Sequence, residues 1–143
     1  MKGKLLVLDT NHLRCLARHE AATLPLLRRL KESEGAVVST IITAEEHLRG
    51  WLARIRSTTD VAQQIPSYES LRDTMEFYRA WVLLPWDREA ADLFKRLRRQ
   101  GVRIGSMDLK IACITIAHDA TLLTRNTVDF AQVQGLRFEN WLD

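Results

Sequence analysis

The run Leu5–Leu8 is wholly apolar and ends abruptly at Asp9 (LLVLDTN). A strand with one wet face would alternate, so this one reads as buried on both faces. The pattern recurs along the chain. Ala36–Ile42 is β-branched and reads as a second strand; Val82–Leu84 is a third, closed by Pro85; Thr121–Leu123 is a fourth, and Leu136–Phe138 a fifth. Helical spacing fills the intervals: Asn11–Arg18, Thr23–Lys31, about Ala44–Arg56, Tyr68–Ala80 after Pro66, a helix capped by Asp87 and ended by Gly101, and Met107–His118 capped by Ser106. Ala44, Leu48, Trp51, Leu52 and Ile55 share one helix face, and Leu71, Met75 and Tyr78 are spaced for burial on another. Strands alternating with helices require an α/β fold with a mostly parallel sheet between two helical layers.

A parallel sheet collects function outside the carboxyl ends of its strands. Four acids stand where strands or loops pass into helices: Asp9, Glu46 (STIITAEEHLRG), Asp108 (RIGSMDLKIA) and Asp129 (LLTRNTVDF). Each has a structural reading too. Asp9 suits an N-cap. Thr43 to Glu46 forms a capping-box pattern. Asp108 falls in a first helical turn, where the dipole favours an anion. Asp129 suits a surface turn. Gathered at one edge, however, four carboxylates repel, and oxygen donors of this kind suit Mg²⁺ or Mn²⁺.

Other chemistry is poorly supported. The four histidines have no metal spacing, and only His12, near Asp9, is a candidate for substrate contact. Ser39 and Ser106 lack nucleophile-elbow glycines. Cys15 and Cys113 lie in apolar helical contexts and read as buried thiols. The 143 residues, 46% hydrophobic and 27% charged, form one expected domain over 1–143. The longest uncharged run, Gly35–Ala44, is far short of the roughly 18 residues of a membrane span. The apolar stretch before Asp9 is too short for a signal peptide, so a cytoplasmic protein is expected. Net charge is +3, and Arg supplies 16 of 21 basic residues, which favours phosphate contact. The run Lys95–Arg103 (KRLRRQGVR) holds five basic residues and no acid; Arg96, Arg98, Arg99 and Arg103 are candidates for RNA backbone contact, against a solvated helix end.

In this order, LDTN, ITAEEHLRG, GSMDLKIA and LLTRNTVDF, with the tail GLRFENWL, resemble PIN-domain ribonucleases, and within them the VapC-like toxins of bacterial type II toxin–antitoxin modules. The resemblance covers nearly the whole chain and implies a PIN-like three-layer α/β/α sandwich. It implies an Mg²⁺- or Mn²⁺-dependent endoribonuclease acting on structured RNA, often tRNA, with Asp9, Glu46, Asp108 and Asp129 as catalytic metal ligands. The four-residue spacing to Gly50 selects Glu46 over Glu45. Thr10, Asn11, Thr124 and Asn126 would support them. The fourth acidic position falls at Asn126 or at Asp129; the acid Asp129 is carried. The resemblance further implies a cognate antitoxin and a homodimer, for which Leu13, Leu16 and the aromatic face of the Tyr68–Trp81 helix are candidate surfaces. An RNA-maturation nuclease and a non-catalytic RNA-binding module are the alternatives. A phospho-accepting receiver fold would need a second acid beside Asp9 and a lysine after Leu123, and neither is present.

Overall fold

The computed structural model describes residues 4–143. Five strands form one sheet: β1 (Leu5–Leu8), β2 (Ala36–Thr40), β3 (Leu83–Leu84), β4 (Thr121–Leu123) and β5 (Arg137–Glu139). Their order is β3-β2-β1-β4-β5, and every pairing is parallel, where the sequence implied only a mostly parallel sheet. Leu6 pairs with Val37 on one side and Thr121 on the other, so β1 is central. From β1 the chain builds outward to β2 and β3, then returns to add β4 and β5. The order therefore reverses beside β1, and the carboxyl end of β1 is the switch point where parallel sheets open a crevice.

Because successive strand residues face opposite ways, β1 feeds two cores. Leu6 and Leu8 join Leu123, Leu13, Leu26, Leu30 and Tyr78 under α1 (Thr10–Arg18), α2 (Thr23–Ser33) and α4 (Ile65–Arg79). Val7 joins Val38, Leu122, Leu93, Leu97, Leu109 and Ile111 under α5 (Arg88–Arg99) and α6 (Ser106–Ala117). Between strand and helical layers runs α3 (Ile41–Ser57), which gives Ile42 to the second core and Ala44 to the first. This is the three-layer arrangement expected. Both cysteines are buried free thiols, also as expected.

Several local expectations are corrected. β2 stops at Thr40 rather than Ile42, because the Thr40 hydroxyl accepts the Thr43 N–H at 3.0 Å and starts the helix there. The cap is thus Thr40, not a Thr43–Glu46 box, and Glu46 is released for other contacts. Gly105, not Ser106, is the N-cap of α6, and no side chain bonds to that end. A short helix, α7 (Thr127–Phe130), was not anticipated; Phe130, fully buried, anchors it. Met75 and Leu52 are exposed rather than buried, while Leu13 is core and leaves no surface for a dimer. Asp87 caps α5 through the Ala90 N–H at 3.0 Å, and Gly101 takes the positive φ of 94° that ends it, both as expected.

Candidate active site

Asp9 follows β1 at the switch point. Its backbone N–H is bound by Leu123 of β4 at 2.9 Å, so the sheet itself positions it. It is the N-cap of α1, but its carboxylate does not take the usual N2 or N3 amide. One oxygen accepts the Thr10 N–H at 2.8 Å and the other the Thr124 hydroxyl at 2.8 Å. Thr124, the residue after β4, is fully buried and also accepts the Asn126 N–H at 3.1 Å. Only 4% of Asp9 is exposed. Burial pushes its carboxyl above the ordinary range; Thr124 and Thr10 oppose the shift, and the Glu46 charge adds to it. Removing a carboxylate from water costs several kcal/mol in order of magnitude, a cost that capping alone does not explain.

Glu46 reaches the site from the second turn of α3. The Thr10 hydroxyl donates to it at 2.8 Å, so Thr10 links Asp9 and Glu46. Asp108, from the first turn of α6, and Asp129, from α7, form the other half. The Asn126 side-chain N–H₂ donates to both, each at 3.1 Å. Asn126 therefore stands as a donor between two acids, Asp108 and Asp129. The two linked pairs share one field. Burial first, then the charges of Asp9, Glu46 and Asp129, raise the Asp108 carboxyl to about 6 against the Asn126 hydrogen bond. The edge thus brings all four acids together, with Thr10, Thr124 and Asn126 against them.

Asn11 is turned elsewhere. Its oxygen accepts the Arg125 N–H at 3.1 Å and lies 2.7 Å from His12 Nδ1. His12 is fully buried, and its Nε2 accepts the Trp141 N–H at 3.1 Å. Burial, then Arg125, lower its pKa to about 4, against Asp143. A neutral ring fastening the carboxyl-terminal tail replaces the expected substrate contact. The basic run is divided. Arg98 donates to Val102 O at 2.9 Å and Arg103 to Arg98 O at 3.0 Å, so both bind carbonyls at the end of α5. Arg96 and Arg99 are exposed.

No sequence pattern links His47 and Tyr78, 31 residues apart on α3 and α4, whose Nδ1 and hydroxyl meet at 3.0 Å. Burial and then the Glu46 charge raise the Tyr78 hydroxyl, with Arg14 opposing and Asp9 adding, so this pair borders the acids. Burial, then Arg14 and Arg18, lower the His47 pKa below its ordinary value.

The donor set is all oxygen and strongly acidic, which suits a hard divalent cation. Among the described residues no three His, Cys, Asp or Glu side chains already stand in an ion-holding cluster. The four carboxylates instead stand as two bridged pairs, Asp9 and Glu46 through Thr10, Asp108 and Asp129 through Asn126.

Comparison with known proteins bears on the same elements. The chain is 42% identical over 50 residues to Ribonuclease VapC2 of Rickettsia felis, spanning 35% of this chain and 37% of that protein. It is 38% identical over 45 residues to Ribonuclease VapC1 of Haemophilus influenzae, spanning 32% and 34%. The matched stretches thus cover about a third of these relatives' length. The fold superposes on VapBC-1 from nontypeable Haemophilus influenzae with a TM-score of 0.71 at 22% identity, covering 97% of this chain and 99% of that one. VapBC2 from Rickettsia felis, bound to a DNA fragment from its promoter, gives 0.69 at 22%, over 96% and 98%. The PIN domain family matches residues 6–136, nearly the whole sheet and every residue of the acidic edge. This chain belongs to the PIN domain family.

Proposed function

We propose that the protein is a Mg²⁺- or Mn²⁺-dependent endoribonuclease that acts as the toxin of a toxin–antitoxin module, hydrolysing phosphodiester bonds in structured RNA, tRNA among them. One observation carries the reading: Thr10 bridges Asp9 and Glu46, Asn126 bridges Asp108 and Asp129, and all four carboxylates stand at one edge of the sheet, where burial and the three other acids raise Asp108 to about 6. Similarity to proteins named ribonuclease VapC, and to VapBC complexes, supports the toxin role and a cognate antitoxin; a homodimer belongs to the same proposal.

Asp9, Glu46, Asp108 and Asp129 would hold the ion, drawing the two pairs together. When bound, the ion supplies a lower pKa for an attacking water and offsets charge on the phosphate. The chain's own groups do the positioning. Thr10 and Thr124 fix both oxygens of Asp9, Thr10 orients Glu46, and Asn126 orients Asp108 and Asp129. A carboxylate of the cluster accepts the proton of the water as it attacks in line. The products are a 5′-phosphate and a 3′-hydroxyl.

The test is total RNA incubated with purified protein and Mg²⁺, with new 5′ ends mapped. Discrete 5′-phosphate ends that vanish in EDTA are expected. Undiminished cleavage in excess EDTA, or a 2′,3′-cyclic phosphate product, contradicts the proposal. The toxin role has its own check. Expression without an antitoxin should halt growth, and Asp9→Asn should restore it; equal growth of both, with both proteins detected, speaks against a toxin.

A further inference from the structure

Helices α1 and α3 both lead away from the acidic crevice. Thr10 opens α1, and Arg14 and Arg18 follow four and eight residues on. Glu46 stands near the start of α3, and Gly50 and Arg54 follow at the same intervals. Residues four apart share a helix face, each step advancing about 6 Å. Sequence separation hides the result: two rows of groups that start from the bonded Thr10 and Glu46.

Between the rows lies a groove. One part, about 400 Å³, is lined by Arg14, Arg18, His47, Trp51, Asp73 and Thr74 among others; an adjoining part of about 190 Å³ shares Arg14, Arg18, His47 and Trp51 and adds Gly50 and Arg54. Among the described residues no carboxylate lies within 4.0 Å of Arg14, Arg18 or Arg54, although five other arginines have such partners. All three are exposed. The Trp51 indole is fixed by its N–H to the Thr74 hydroxyl at 2.9 Å, and the Arg54 guanidinium lies 5.5 Å from its ring centre. His47, bonded to Tyr78 and next in chain to Glu46, lines both parts of the groove.

Gly50 lines the groove as well. Glycine is disfavoured in a helix interior relative to alanine, so a packing reason is expected. There is none: a Cβ at Gly50 would meet no atom within 4 Å. The missing side chain leaves space in the groove, where a ligand can approach the backbone of α3.

We propose that this groove, through Arg14, Arg18 and Arg54, binds the phosphodiester backbone of the RNA strand beside the bond to be cut. Arginines one turn apart suit a chain of repeated anions, and the guanidinium fork suits phosphate. His47, the neighbour of Glu46 in the chain, lines both parts of the groove, so the groove adjoins the acids, which favours the substrate over an acidic protein segment. The basic run at the end of α5 is less suited, since Arg98 and Arg103 already bind carbonyls.

The inference rests on the nuclease reading, and its test keeps the two apart. Binding of a short, mixed-sequence, single-stranded RNA is measured in EDTA over a range of salt, so that no cleavage is needed. Arg14→Ala with Arg18→Ala should weaken binding roughly 10-fold or more at moderate salt and flatten the log–log salt slope by about 1.4, two phosphate contacts at ~0.7 each. Arg14→Lys with Arg18→Lys should keep most of the slope. Arg28→Ala with Lys31→Ala, removing the same charge from α2, should leave it unchanged. A wild type that binds no RNA, or a groove variant with the wild-type slope, overturns the proposal. If that variant instead loses affinity only for a polyglutamate peptide, the groove belongs to an acidic protein segment. Wild-type protein that binds RNA through the groove yet cuts none with Mg²⁺ overturns the nuclease reading and leaves the groove. Protein that cuts RNA equally well with and without Arg14 and Arg18 overturns the groove and leaves the nuclease.

Discussion

His12 and Asp108 oppose each other over the same pH range. His12 has its folded pKa lowered to about 4 by burial, from 6.5. Its neutral ring is favoured in the fold, so the stability it contributes is present above pH 6.5 and is lost as pH falls towards 4. Asp108 is raised from 3.8 to about 6, so its native form holds a proton the unfolded chain releases; its contribution declines as pH rises from 4 to 6. The native tail depends on the first of these, because the ring accepts the Trp141 N–H and lies against Asn11. His12→Gln should therefore destabilise the metal-free protein by about 2 kcal/mol at pH 7. The gap to wild type should narrow by more than ~1 kcal/mol on acidification from pH 6.5 to 4. Denaturant melts in EDTA at several pH values measure it. A gap independent of pH would mean the ring carries no such linkage.

Helix ends show which signals were legible in the sequence. Asp87 and Gly101 act within a few residues of themselves, and both the cap and the stop of α5 could be read directly. The start of α3 is hidden in the sequence because Ile41 and Ile42 favour a strand, while Thr40 offers the earlier cap. The four-residue α7 has no periodicity to read; the burial of Phe130 by distant parts of the chain holds it. The acids themselves were visible as punctuation after strands. Their two linked pairs were not, since Thr10 and Asn126 act across 36 and 18 residues. The rows of α1 and α3 were missed for the same reason. Caps and site acids also separate by experiment. Asp87→Ala removes a bond to the Ala90 N–H and should cost about 1 kcal/mol, a fall of roughly 2 to 5 °C in Tm. RNA cleavage and Mg²⁺-induced stabilisation should be unchanged. Loss of either would show that α5 does more than support the fold.

In the whole molecule, the reversal of strand order beside β1 places Asp9 where parallel sheets open, and the other acids arrive from α3, α6 and α7. Among the described residues no helix is long and apolar enough to cross a membrane. The fold thus concentrates negative charge at one edge of a chain whose net charge is +3, and the groove of α1 and α3 sets arginines directly beside it. Such a gathering of like charge costs stability unless a counter-charge offsets it. Two carboxylates ~4 Å apart repel by about 4 kcal/mol at an effective dielectric near 20, before relaxation and proton uptake reduce it. The most direct measurement is the melting temperature of wild type and Asp108→Asn, in EDTA and in Mg²⁺, with RNA cleavage followed on the same samples. Asp108 is partly open to solvent, so after screening its neutralisation should stabilise the metal-free fold by about 1 kcal/mol near neutral pH, or roughly 2 to 5 °C. The variant should lose most of the Mg²⁺-induced rise and cut no RNA. A lower melting temperature in EDTA with cleavage retained would make Asp108 a support for the start of α6 and remove it from the site.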